Sequence, residues 1–203
     1  MRVLVETPHW IFADKPAGAL ACGDQKSVEA ILRLQLKAPA LEVVHRLDRD
    51  TTGCLMLAKT HTAFLAAVEA FKTRSVSKTY AAICAGRFPH LHQTVEEPLD
   101  DKPAVTHVTR QTASPDASFL RVRIETGRTN QIRRHLASIR FPVLGDRTFG
   151  LKTARDPRLM QVPRQMLHAA EIELPDPMVK GGRLKAHSPL PADFRRCLKL
   201  FGL

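Results

Sequence analysis

In "FLRVRIET" the residues Leu120, Val122 and Ile124 alternate without a break with Arg121, Arg123 and Glu125. Successive side chains on a strand point to opposite faces, so this run makes a strand with one apolar face and one solvated, charged face. Strands of a parallel sheet are covered on both faces and read as continuous apolar runs; a strand wet on one side belongs to an antiparallel or mixed sheet. "KTYAAIC" and "QMLHAAEIEL" read as further strands, "WIFADKPAGAL" as a short apolar strand entering a Pro-Gly turn, and "DPMVKGGRLKAHSPLP" as a hairpin-like polar return.

Helical spacing occupies the intervals. "SVEAILRLQLKA" carries Val28, Ile31 and Leu32 on one face, and "THTAFLAAVEAFKTR" carries Phe64, Leu65, Val68 and Phe71, with Thr at its start and Lys and Arg at its end, as helix termini prefer. In "TGRTNQIRRHLASIRFPVLGD" a Gly turn leads to a Thr129 cap and a helix burying Ile132, Leu136 and Ile139, which Pro142 ends. "ADFRRCLKLF" closes the chain with Phe194, Cys197, Leu198 and Phe201 at helical spacing. The polar, Pro-rich stretches "GRFPHLHQTVEEPLDDKP" and "KTARDPRLMQVPR" are the loop candidates for substrate contact.

The 203 residues carry 31 Lys and Arg against 20 Asp and Glu, a formal charge of +11. Polyanions are the natural partners of such a chain. Arg is clustered in "GRTNQIRRHLASIR" and "TARDPRLMQVPRQ", and a planar, bidentate guanidinium suits phosphate better than an ammonium does, so nucleic acid leads the ligand classes. Nothing approaches the roughly 18 consecutive apolar residues of a membrane span, and the N-terminus lacks the order of a signal peptide, so the chain reads as cytosolic with no membrane partner. Cys22, Cys54, Cys84 and Cys197 are far apart, sit among apolar neighbours and suggest neither a disulfide framework nor a zinc site.

Within "VVHRLDRDTTGCLMLAKT", Asp48 lies between an apolar run and the turn signal Thr51-Thr52-Gly53. Its carboxylate could cap that turn, or it could be a reactive group held by an Arg. The segments "HRLDRDTTG", "KTY", "GRTNQIRRHLA", "PVLGD" and "MLHA" settle the weighting, because in this order and spacing they resemble the RluA-type RNA pseudouridine synthases over nearly the whole chain, from "DKPAG" to "SPLPADFR". The chain departs from the family pattern at Thr52 and Cys54, commonly Ser and Leu, and at Asn130, commonly His.

The resemblance implies a mixed, mainly antiparallel sheet with flanking helices and a central RNA-binding cleft, Asp48 on its floor, in a single catalytic domain over residues 1–203 without a separate N-terminal RNA-binding domain. It implies isomerisation of uridines in rRNA or tRNA, without cofactor or metal; the sequence is silent on oligomeric state, and a monomer is the default expectation. Asp48 is then the essential carboxylate, Arg133 its charge partner, and Tyr80 the ring that stacks on the target base. Arg46 is implied to enter the RNA stack in place of the extruded uridine, with Lys15 and Arg128 as phosphate ligands. His45 and His168 read as structural histidines, His90 and His92 as a solvated loop pair, and Arg140, Arg155, Arg158 and Arg164 together as an RNA-facing rim. Two rivals compete with this reading. A metal-dependent nuclease would use His45, Asp48 and Asp50 as hard ligands. A non-catalytic RNA-binding module would need aromatic platforms, and this chain is only 5% aromatic.

Overall fold

The computed structural model describes residues 1–151 and 156–203. In chain order the elements are β1 (Arg2–Glu6), β2 (Trp10–Lys15), α1 (Val28–Gln35), β3 (Glu42–Val43), β4 (Thr52–Ala58), α2 (His61–Lys72), β5 (Ser77–Ala85), β6 (His92–Val95), β7 (Thr106–Ala113), β8 (Ala117–Ile124), α3 (Gln131–Ser138), a 3-10 turn (Pro157–Gln161), β9 (Leu167–Pro175), β10 (Arg183–His187) and α4 (Ala192–Leu200). They form two compact units, Met1–Lys78 with Ala169–Pro189, and Thr79–His168 with Leu190–Leu203.

In the first unit the strands run β1-β2-β4-β9, with β3 also on β4 and β10 on β9. The pairings β1–β2, β2–β4, β3–β4 and β9–β10 are antiparallel. Trp10, Phe12, Cys54 and Met56 turn one face of β2 and β4 into a core that Ala63 and Ala67 of α2 close, their small side chains letting the helix approach the sheet. Full burial of a side chain such as Phe12 contributes about 1.5–3 kcal/mol, and Trp10 keeps its polar end satisfied by donating Nε1–H to Asp176 Oδ1 at 3.0 Å. Both helices begin as their sequences require: Ser27 accepts from Ala30 N, and Thr60 from Ala63 N.

The second unit orders its strands β5-β8-β7-β6, with β6–β7 and β7–β8 antiparallel. Leu120, Val122 and Ile124 of β8 are buried, while Arg121 and Arg123 are exposed, as the alternation requires. α3 starts one residue later than the sequence suggests. Its N-cap is Asn130, in the left-handed region at φ 55 and making no side-chain cap bond, rather than Thr129. The entry to the helix is held instead by Gln131 and Arg128: Gln131 N–H donates to the Arg128 carbonyl at 3.1 Å, and Gln131 Oε1 accepts the Arg128 N–H at 3.0 Å.

Two further expectations need correction, and one strand goes unread in the sequence. The stretch assigned to a loop around "PHLHQTVEEP" contains the strand β6, which gains its order by pairing with β7 rather than from its own pattern. β7 itself, "THVTRQTA", has too few apolar residues to announce itself and is defined by its two neighbours. Cys22 is exposed, whereas Cys54, Cys84 and Cys197 are buried and all four are unpaired thiols. Arg155 lies outside the described residues. No helix among the described residues is long and apolar enough to cross a membrane.

Candidate active site

In the first unit the chain reverses at Asp48–Thr51, where the Thr51 N–H donates to the Asp48 carbonyl at 3.0 Å, and β4 begins at the next residue. The turn is fixed from below by Lys15. Its ammonium donates to the carbonyls of Arg49 at 2.8 Å, Thr51 at 2.9 Å and Pro16 at 2.9 Å. An ammonium has three protons, and these three acceptors match them. Lys15 is fully buried. The phosphate role implied for it is therefore corrected: Lys15 ties the "DKPAG" turn to the turn that carries Asp48. A second tie runs outside, where Gly18 N–H donates to Arg49 O and Arg49 Nε to Gly18 O, both at 3.0 Å.

Gly53 is the last residue of the same motif and pairs directly with Lys15 across β2 and β4. It sits at φ +114, and a Cβ there would lie 2.2 Å from the Ala169 carbonyl oxygen of β9. Only glycine permits that approach of β9. Asp48 is half-buried, and Arg46, two residues earlier, is exposed.

His45 is a structural histidine. Its Nε2 accepts the Met56 N–H at 3.0 Å, which places the proton of the neutral ring on Nδ1, and the ring stacks on Phe71 at 5.2 Å. Loss of water around the ring, aided by the nearby Lys78 ammonium, pushes His45 down to about 3. With its one acceptor nitrogen engaged, His45 is not available as a metal ligand. Among the described residues no three His, Cys, Asp or Glu side chains gather as a metal site. The nuclease rival loses the ligand on which it depended.

The second unit carries Arg133, Arg128 and Tyr80. Arg133 is held as a bidentate fork by Asp146, Nε to Oδ2 at 2.6 Å and Nη2 to Oδ1 at 2.7 Å. Its Nη1 donates to Asn130 Oδ1 at 2.7 Å, and the guanidinium lies 5.1 Å from the centre of the Phe149 ring. Asp146 is fully enclosed. Its burial opposes ionisation, but the Arg133 guanidinium with the Phe149 and Thr148 amides outweighs this and holds the carboxyl below the usual carboxylate range. Arg133 is thus a cation of fixed rotamer, as a group that must orient an anion requires.

The helix bearing Arg133 is anchored by Gln131, which uses both ends of its amide. Oε1 accepts from Thr126 Oγ1 at 2.7 Å and from Arg128 N, while Nε2 donates to Val105 O at 2.9 Å and Thr106 Oγ1 at 3.0 Å. His135, one turn on, adds a 2.9 Å hydrogen bond to Thr106 Oγ1. Arg128 is half-buried and donates Nε–H to Pro103 O at 3.1 Å. Tyr80 lies in β5 and is 8% exposed. The rim residues divide: Arg140 is exposed, whereas Arg158 is bound by Asp116 and Asp156, and buried Arg164 by Asp193.

Asp146, Asn130 and Gln131 received no site role from the sequence. Asp146 stands in "PVLGD", a segment quoted for its resemblance, but a partner 13 residues from Arg133 becomes visible only once α3 and the following turn fold together.

Residues 9–138 match the family model described as RNA pseudouridylate synthase. The chain is 34% identical, in a 232-residue alignment covering 98% of it and 71% of the relative, to a protein of Pseudomonas aeruginosa named ribosomal large subunit pseudouridine synthase D. A protein of the same name from Nitrosomonas europaea is also 34% identical, over 98% of this chain and 64% of its own length. Among solved structures, human RNA Pseudouridylate Synthase Domain Containing 4 aligns with a TM-score of 0.82 at 22% identity, covering 98% of this chain and 92% of that one. Human RNA Pseudouridylate Synthase Domain Containing 1 aligns with a TM-score of 0.79, again at 22% identity, covering 96% and 86%. At that identity the structural likeness speaks to the fold.

Proposed function

Because the chain belongs to the RNA pseudouridylate synthase family, we propose that it converts uridine to pseudouridine in large-subunit ribosomal RNA, using Asp48 as the one essential carboxylate. The reaction breaks the N1–C1′ bond of uridine, turns the uracil and rejoins C1′ through C5; the C5 hydrogen leaves as a proton and the freed N1 takes one up, so the product is an isomer. Nothing is oxidised, and no group leaves the nucleotide. An ionised carboxylate at C1′ or on the base suffices to start it. In this reading Arg133 steadies and aims the anion, and the clamp of Asp146 and Asn130 gives it the rigidity to do so. Tyr80 stacks on the base, since its ring alone meets that need. Exposed Arg46 fills the gap the uridine leaves in the RNA, and Arg128 contacts phosphate. Both units then serve a single catalytic domain, which acts as a cytoplasmic monomer.

The observation that carries this reading is the Asp48 turn. Three carbonyl bonds to one buried ammonium, and a glycine that admits a neighbouring strand, fix a turn far more firmly than a solvated loop needs. The choice of ribosomal over transfer RNA rests on the names of the relatives. It is tested by incubating the protein with a large-subunit rRNA transcript and a pool of tRNA transcripts, then mapping pseudouridine in each. Modification at discrete rRNA positions is expected; modification confined to tRNA would overturn the substrate, and none in either would overturn the activity.

A further inference from the structure

The charged face of β6, β7 and β8 in the second unit is left unused by the reaction. The register puts His92 opposite Thr109, Thr94 opposite His107, His107 opposite Arg123, and Thr109 opposite Arg121. These six side chains therefore share one face of the sheet, and the buried Val108, Leu120 and Val122 take the other. With Thr79 of β5 they line an open concavity of about 370 Å³ to which no helix contributes. The face is organised from within: His92 Nδ1 pairs with Thr109 Oγ1 at 3.2 Å, and His107 bridges Thr94 Oγ1 at 3.0 Å and Glu125 at 2.7 Å.

Its charge is unbalanced. Among the described residues no carboxylate lines the concavity, and Glu125 at its margin pairs with His107 and lies 4.0 Å from Arg123. Arg121 is exposed and has no acidic partner among the described residues. Two residues apart on one strand, Arg121 and Arg123 project about 7 Å from each other, the scale of neighbouring phosphates along a nucleic-acid strand. Hydroxyls at Thr79, Thr94 and Thr109 add neutral donors between and beside the cations. No Phe, Tyr or Trp lines this face among the described residues, and the rings of His92 and His107 are tied to Thr109, Thr94 and Glu125, so backbone contact is favoured over base stacking.

We propose that this face is a second RNA-contact surface, on the side of the sheet away from Tyr80 and α3, which holds the sugar-phosphate backbone of an outlying part of the substrate RNA through Arg121 and Arg123. The proposal rests on the synthase reading for the identity of the RNA. Such contacts position the RNA without reading its sequence.

The test compares the parent with the double variant Arg121→Ala/Arg123→Ala and its charge-keeping counterpart Arg121→Lys/Arg123→Lys. All three are titrated with the same rRNA fragment across a salt series. Loss of two phosphate contacts reduces the slope of log affinity against log salt by about 1.4 for single-stranded and about 1.8 for duplex RNA. The Lys pair restores most of the slope, and both positions are exposed, so thermal midpoints of all three agree. In turnover assays the Ala pair raises KM several-fold, with the loss falling on KM rather than on kcat. An unchanged slope and KM in the Ala pair would overturn the proposal, as would a loss that the Lys pair fails to recover. If the parent releases no hydrogen from C5-labelled uridine in RNA, the synthase reading fails separately, and the salt slopes still decide whether this face binds RNA.

Discussion

Burying an ammonium is unfavourable unless its protons are all matched, and at Lys15 the acceptors Pro16, Arg49 and Thr51 provide that match. The sequence shows a Lys in a turn; it does not show that carbonyls 34 and 36 residues away converge on it. Residue chemistry was legible where a motif named it and opaque where tertiary distance assigned it. His45 illustrates the same division in the other direction, since its structural character was readable but its perturbation was not. Its folded pKa of about 3 lies below the ordinary 6.5. Above pH 6.5 both folded and unfolded rings are neutral and the residue contributes no pH dependence. Below 6.5 the unfolded ring takes up a proton that the folded ring refuses, so stability falls as the pH drops toward 3, by up to about 1.4 kcal/mol per unit. Burial pushes His135 in the same direction. Thermal midpoints between pH 4.5 and 6.5 should therefore decline with acid, and His45→Gln should show a shallower decline than the parent. Equal slopes for the two would contradict the neutral, enclosed state of His45.

Among the elements, the helices and β8 were legible because each carries its own period. Val28 and Leu32, Ile132 and Leu136, and Phe194 and Cys197 are buried as that spacing demands. The strands β6 and β7 were not, because their polar residues face the open concavity and their order comes from pairing. The start of α3 differs from the sequence reading for a related reason: its first amide, Gln131 N–H, donates to the Arg128 carbonyl, and the Asn130 side chain is diverted to Arg133. Packing between strands sets the sharpest local constraint. At Gly53 a methyl group would meet the Ala169 carbonyl at 2.2 Å, at a φ that L side chains avoid. Gly53→Ala should thus cost at least about 2 kcal/mol, read from the denaturant midpoint. A change within about 0.5 kcal/mol would show that β4 and β9 do not need this close approach.

At the scale of the molecule, the charge of +11 and the family membership agree on RNA as substrate. The fold class read from one alternating strand and the quoted motifs holds, as a mainly antiparallel sheet with four helices among the described residues. The motif set is shared out between the units: the first holds the His45–Gly53 block, and the second holds Tyr80, Arg133 and the Asp146 that clamps it. On the proposed mechanism Asp48 does the chemistry and its turn presents it. The direct measurement is release of the C5 hydrogen from labelled uridine in rRNA by the parent, Asp48→Asn and Asp50→Asn. An amide has nearly the carboxylate's shape without its charge or nucleophilicity, and it serves turns about as well. Asp48→Asn should release hydrogen at less than about one-thousandth of the parent rate while still binding RNA and folding, and Asp50→Asn, in the same turn, should keep most of the activity. Near-normal release by Asp48→Asn, or equal losses at both positions, would contradict the claim and leave Asp48 as a turn residue.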